Sequence, residues 1–174
     1  MSMFGRLVRR LSRLGIAVAA LSLLTSLALV VYSVAMRYVF NLPVPWVDEL
    51  VGYLLVACVM LAAADALIEG EHIAVDAVTE RLSARGRRWT LIAGMVAVAA
   101  SALLLVVEGW GMVAFSRMVD LLSNGYLALP MWIPQAFVPV GAVLLLLAAL
   151  VVLVDALQGR PPPGDRRDKP AGIE

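Results

Sequence analysis

The sequence predicts an all-α integral membrane protein with four transmembrane helices and a short amphipathic cytoplasmic interfacial helix between spans 2 and 3. Three observations carry that expectation. Hydrophobic residues make up 62% of the 174-residue chain and charged residues only 16%, and the mean hydropathy is +0.91. One soluble core of this size cannot bury that much apolar surface. The charges also cluster, leaving four long uncharged or nearly uncharged runs. Finally, the basic residues alternate in number from one connecting segment to the next.

The first run, Leu14 to Met36, lies between Arg13 and Arg37 and holds no charge. A helix rising about 1.5 Å per residue crosses a hydrocarbon core of about 30 Å in about 20 residues, so this run suffices for one span. The basic start (Arg6, Arg9, Arg10, Arg13) and the length of the apolar part favour an uncleaved anchor over a signal peptide. A second span is expected over 46–68, with Glu49 near its start and Asp65 near its end. A third covers 89–107, and a fourth 133–154 within the uncharged stretch that separates Asp120 from Asp155. Residues 1–13 then form a basic tail, 14–157 the membrane domain, and 158–174, with Pro161-Pro162-Pro163 and mixed charges, a disordered tail.

Lys and Arg number four before the first span, one (Arg37) after it, and four (Arg81, Arg85, Arg87, Arg88) after the second. One (Arg117) follows the third and four follow the fourth. The positive-inside rule therefore puts both termini and the middle loop in the cytoplasm. Asn41-Leu42-Pro43-Val44-Pro45 breaks the chain into a tight outward turn, because proline disfavours the α conformation at the residue before it. Between Glu71 and Arg88, Val75, Val78 and Leu82 recur at helical spacing among charges, as in a helix lying on the inner membrane surface. Trp110, Val113, Ala114, Arg117 and Leu121 carry span 3 onward into an outer interfacial helix, which Ser123-Asn124-Gly125 ends.

The inventory excludes several kinds of chemistry. A net charge of +1 offers no basic field for nucleic acid. The single Cys and single His allow neither an internal disulfide nor a paired-thiol relay, and neither a bis-histidine haem nor a two-histidine zinc motif. No phosphate-binding glycine loop is present. The expectation is a protein that is not an enzyme and holds no metal or cofactor. The span centres lack an ionisable acid or base, unlike a transporter that couples protons or ions through its own helices. Arg37 and Glu49 sit at the outer ends of adjacent helices and could form an ion pair, or could each face water or headgroups. Asp65 and Glu108 lie near span ends, where a carboxylate reaches the interface. His72 and Cys58 read as structural residues, and Trp46, Trp89, Trp110 and Trp132 as an aromatic belt.

Three segments then resemble a known family. The run Arg37-Tyr38-Val39-Phe40-Asn41-Leu42-Pro43-Val44-Pro45-Trp46-Val47-Asp48-Glu49-Leu50 is similar to a motif of the small membrane (DctQ-type) subunit of tripartite ATP-independent periplasmic (TRAP) transporters. Gly70-Glu71-His72-Ile73-Ala74-Val75-Asp76 looks like that family's second motif. Leu129-Pro130-Met131-Trp132-Ile133-Pro134, with Pro139 and Gly141, resembles the start of its fourth helix. Ile68-Glu69 departs from relatives that often carry a basic residue there. The resemblance covers about residues 10 to 157.

It implies a bacterial inner-membrane protein, separate from its partners, that braces the scaffold of a large (DctM-type) membrane subunit. That larger subunit would carry out sodium-driven uptake of an organic acid delivered by a periplasmic solute-binding protein. The lipid bilayer is the remaining partner, and nucleic acid is not one. Carried over by position, Arg37, Tyr38, Phe40, Pro45, Trp46 and Glu49 form an outward structural cluster, while His72, Ile73 and Asp76 anchor the inner surface helix. Glu108, Arg117 and Asp120 are candidates for contact with the binding protein. The competing expectation is a stand-alone four-helix transporter or a membrane scaffold or assembly protein. A small multidrug exporter would need a carboxylate in its first span, and Leu14 to Met36 has none.

Overall fold

A computed structural model of the chain describes residues 3–69 and 84–158. It is all-α, with four helices long and apolar enough to cross a membrane. α1 runs Met3–Val39, α2 Trp46–Glu69, α3 Ala84–Met118, α4 Trp132–Gln135 and α5 Phe137–Leu157. Among the described residues, the one β feature is an isolated bridge between Leu122 and Pro130. The expected interfacial helix of the 71–88 loop lies outside the described residues up to 83, and Ala84 to Arg88 open α3.

Each helix begins and ends where its residues require. α1 and α3 contain 37 and 35 residues, about 50–55 Å at about 1.5 Å per residue. Both are longer than the hydrocarbon core and carry their arginines on the protruding turns. Two residues past the end of α1, Asn41 has a left-handed backbone (φ 55), a conformation asparagine tolerates better than most residues. The Leu42 N–H then donates to the Met36 carbonyl at 3.0 Å. α3 ends in a Schellman motif. Leu121 N–H donates to Ser116 O at 2.9 Å and Asp120 N–H to Arg117 O at 3.5 Å, around a left-handed Asp120 (φ 47). The interfacial extension expected after span 3 is thus continuous with α3 and stops two residues before Asp120.

The helices pack in the order α1–α2–α5–α3, with a smaller contact between α1 and α5; α1 and α3 do not meet. α2 and α5 are therefore central and α1 and α3 peripheral. At the end that bears the basic residues, one apolar cluster joins all four long helices: Val8, Ala64, Leu67, Ile68, Met95, Ala148, Ala149 and Val152. Ala64, Ala148 and Ala149 within this cluster let the helix backbones approach closely, the packing on which helix association in lipid depends. Gly141 is the limiting case. A Cβ there would run into the backbone carbonyl of Met60, so α5 can lie this near α2 only with glycine at the crossing.

α1 buries one narrow stripe, Val8, Ser12, Gly15, Ala19, Ser22, Ser26 and Ser33, spaced alternately four and three residues apart over most of its length. Its other faces present Leu14, Leu21, Leu24, Leu27 and Val31 outward. α3 likewise buries Met95, Ala102, Gly109, Val113 and Ser116, half-buries Leu91, Val98 and Ala99, and exposes Leu103, Leu104, Val107 and Trp110. In a bilayer such apolar exposure is ordinary, since lipid tails replace water around it.

Candidate functional site: a clamped loop at the outer end

The densest polar arrangement among the described residues lies where α2 begins, and Glu49 is its centre. Asp48 and Glu49 occupy the first turn of α2, where the positive end of the helix dipole favours carboxylates. Glu49 Oε1 accepts from the Tyr53 hydroxyl at 2.8 Å, one turn further along the same helix. Its Oε2 accepts from the Leu127 backbone N–H at 3.1 Å. The Ser123 hydroxyl also hydrogen-bonds to this carboxylate. The Tyr53 hydroxyl lies in addition 3.6 Å from Met131 Sδ.

Ser123, Leu127 and Met131 belong to the connection between α3 and α4, which folds back on itself. Ser123 N–H donates to Leu129 O at 2.8 Å, Leu129 N–H to Ser123 Oγ at 3.2 Å, and Met131 N–H to Leu121 O at 2.8 Å. Ala128 completes the turn in a left-handed conformation (φ 45), a strained state for a residue with a Cβ. Gly125 sits directly over Glu49, and a Cβ there would collide with the carboxylate. A side chain at residue 125 would therefore push the Glu49 carboxylate out of the position in which it meets the loop.

Two further contacts fix the base of this loop. Ser116, buried at the end of α3, lies with its Oγ 2.6 Å from Gln135 Oε1 in α4. The Arg117 guanidinium stands over the Trp132 ring, 5.0 Å from its centroid, at cation–π distance. The outer ends of α2, α3 and α4 thus form one hydrogen-bonded unit. What it presents outward is mixed: Leu121, Leu122 and Tyr126 are exposed, Tyr126 at 79%, beside the exposed Arg117, Asp120 and Asn124.

The residues expected to form an outward cluster are only partly brought together. Among the described residues no ion pair joins Arg37 to Glu49. Arg37 is exposed, and the carboxylate turns away to the 119–131 loop. The reason is that the loop passes over the first turn of α2 and offers the Leu127 N–H to the carboxylate there. Tyr38, Phe40 and Pro45 are exposed and Trp46 is half-buried. His72, Ile73 and Asp76 lie outside the described residues. Glu108, Arg117 and Asp120 are all exposed, but Glu108 precedes Arg117 by nine residues, about two and a half turns, and so points from the opposite side of α3. Asp65 and Cys58 are half-buried, and Trp89 and Trp110 are exposed near span ends.

Sequence reasoning missed Tyr53, Ser123, Gly125 and Leu127 as partners of Glu49. Tyr53 alone carried a local signal, being four residues from Glu49 on a helix. At the opposite end Arg88 donates to the Leu157 carbonyl at 2.7 Å, closing α5 with a cation at the negative end of its dipole. Among the described residues, no group of three or more His, Cys, Asp or Glu could hold a metal ion.

Four apolar spans, and a principal polar site that joins helix ends to a loop, define a multi-pass membrane protein built around packing contacts. Over residues 26–159 the sequence matches the family described as tripartite ATP-independent periplasmic transporters, DctQ component. The chain belongs to that family, and is therefore a small-subunit component of a TRAP transporter in the inner membrane. No curated protein matches the chain.

Proposed function

We propose that the chain braces the static scaffold of a large, DctM-type membrane subunit, which moves an organic acid with sodium after a periplasmic binding protein delivers it. In this reading the chain catalyses no reaction of its own. The observation that carries it is the match to the DctQ component family over residues 26–159, and the packing of the peripheral helices agrees with it. α1 and α3 bury one stripe each, do not meet one another, and leave long apolar faces open, as a subunit that adds a layer to a larger partner would.

The test is purification of the tagged chain from its native membrane in mild detergent, with partners identified by mass spectrometry. A roughly equimolar, much larger polytopic protein is the expected result. A lone chain or self-dimer would overturn the bracing role and favour a stand-alone transporter or scaffold.

In this reading the Glu49–loop unit faces the periplasm, which the charge distribution supports by favouring cytoplasmic termini. There Arg117 and Asp120 would meet the binding protein, while Glu108 faces the other side of α3. One variant checks both statements. In a Cys58→Ser background, Asp120→Cys is expected to react with a membrane-impermeant maleimide added from the periplasmic side, and to react more slowly once the binding protein is present. No reaction would reverse the orientation, and a rate indifferent to the binding protein would remove the contact.

A further inference from the structure

α3 carries two seams, of which its own bundle covers one. Met95, Ala102, Gly109, Val113 and Ser116 are buried, on the side that packs on α5. At about 100° per residue, the opposite side of the helix holds Ala93, Ala97, Ala100, Leu104, Val107 and Gly111. These follow one another alternately four and three residues apart, the pattern of a helix that packs along a second helix. All are exposed, and a Cβ at Gly111 would meet nothing within 4 Å. Apart from Leu104 and Val107 the seam is alanine and glycine. It is therefore shallow enough for another backbone to come close, which is how helices associate in lipid.

The flank of this seam bears a charge. Glu108 stands one turn from Leu104 and from Gly111 and is exposed. It lies twenty residues beyond Arg88, about 30 Å along the helix, at the outer margin of the hydrocarbon core, and tilt of α3 draws it further in. Its neighbour Gly109 packs on Pro139 of α5, which sets the same depth. Among the described residues Glu108 has no hydrogen-bond or ionic partner, whereas Glu49 is answered by Tyr53, Ser123 and Leu127. Carboxylates at membrane depth are rare, and they almost always face protein or water and find a partner.

We infer that this face of α3 receives a transmembrane helix of the large subunit, one that carries an arginine or lysine at the depth of Glu108. The inference rests on the bracing role and adds to it the face and the chemistry of the contact. Charge complementarity selects the occupant. Lipid tails would cover the seam but leave the carboxylate unanswered. A second copy meeting the same seam about a twofold axis along the membrane normal would bring two Glu108 carboxylates to one depth, like against like. The outward side of α1 offers no such charge, since Leu14 to Met36 holds none.

The test compares variants of the tagged chain, purified from the native membrane in mild detergent, by the ratio of large subunit to chain in quantitative mass spectrometry. Gly111→Phe, which fills the close approach, is expected to lower that ratio roughly tenfold or more, the scale of an overpacked contact. Ala97→Phe repeats the block about four turns away along the seam. Glu108→Lys sets cation against cation and should cost as much, with Glu108→Gln between it and wild type. Ala17→Phe, on the outward side of α1, should change the ratio by less than about twofold. All these positions are exposed, so the isolated variants should keep the helical circular dichroism of the wild type. A wild-type chain that recovers no larger protein overturns the bracing role itself. If wild type recovers it and Gly111→Phe and Ala97→Phe do so equally, or Ala17→Phe loses as much, the bracing role stands and the α3 face is overturned. Loss in Gly111→Phe without loss in Glu108→Lys would overturn the basic partner and hand the carboxylate to an amine-bearing lipid headgroup or to water.

Discussion

Gly141→Ala is expected to destabilise the four-helix unit by about 1–3 kcal/mol, the usual cost of forcing a methyl group into a packed core. The added Cβ meets the Met60 main-chain carbonyl and its carbon, and not the far end of a flexible side chain. Relief therefore requires α5 to move away from α2 along its length. That shift loosens the contact between the two central helices, through which α1 and α3 are connected. In a bilayer little opposes the separation, because lipid tails solvate the parted faces as well as a neighbouring helix does. Unfolding of the purified chain by increasing sodium dodecyl sulfate in mixed micelles, followed by loss of helical circular dichroism, measures the effect. Gly52→Ala is the control. Nothing lies within 4 Å of a Cβ placed there, so the isolated chain should be unchanged or gain up to about 1 kcal/mol from the better helix former. Equal behaviour of the two variants would show that α2 and α5 do not need their close crossing.

The number of spans was legible because it depends on one-dimensional quantities: the lengths of charge-free runs and the residues at their borders. Leu14 to Met36 lies wholly within α1, and the expected start of span 2 at Trp46 is where α2 begins. What hydropathy could not read was helix outside the hydrocarbon. α1 extends back to Met3 because Val8 and Ser12 pack on the bundle, a tertiary contact that leaves no mark in a count of charges. The outer site was less legible for a related reason. Opposite charges close together in sequence, Arg37 and Glu49, suggest a pair. The groups that satisfy Glu49 include a backbone N–H and a serine hydroxyl more than seventy residues away, and any residue type can supply a backbone N–H. Gly125 and Ser123 could be read only as a helix stop; that they also cap a carboxylate on another helix needed the fold. Asp120 shows the converse, since a charge chosen for its outward position also ends α3 in a left-handed turn.

Glu49→Ala is expected to release the 119–131 connection while leaving the four spans in place. The substitution removes the acceptor of the Leu127 N–H and the Ser123 hydroxyl together, and takes from Tyr53 its 2.8 Å partner. It also empties the space that Gly125 closes over. The interior of the loop retains its Leu121–Met131 and Ser123–Leu129 hydrogen bonds, so a local loosening follows rather than unfolding. Ser116–Gln135 and Arg117–Trp132 still hold the base. Hydrogen–deuterium exchange read by mass spectrometry separates these parts. Peptides containing Leu127 should exchange markedly faster in Glu49→Ala, while those from α5 keep their protection. Glu49→Gln discriminates further, because its amide oxygen can still accept from the loop while its NH2 can only donate to the Tyr53 hydroxyl oxygen, so the hydrogen bonds are kept without the charge that strengthens them. Its exchange should fall between wild type and Glu49→Ala. If Tyr126 and its apolar neighbours form a partner surface only when the loop is held, uptake by the assembled transporter should follow the same order. Loop exchange that is identical in all three proteins would mean that the carboxylate does not clamp the loop, and the outer unit would then rest on α4 alone.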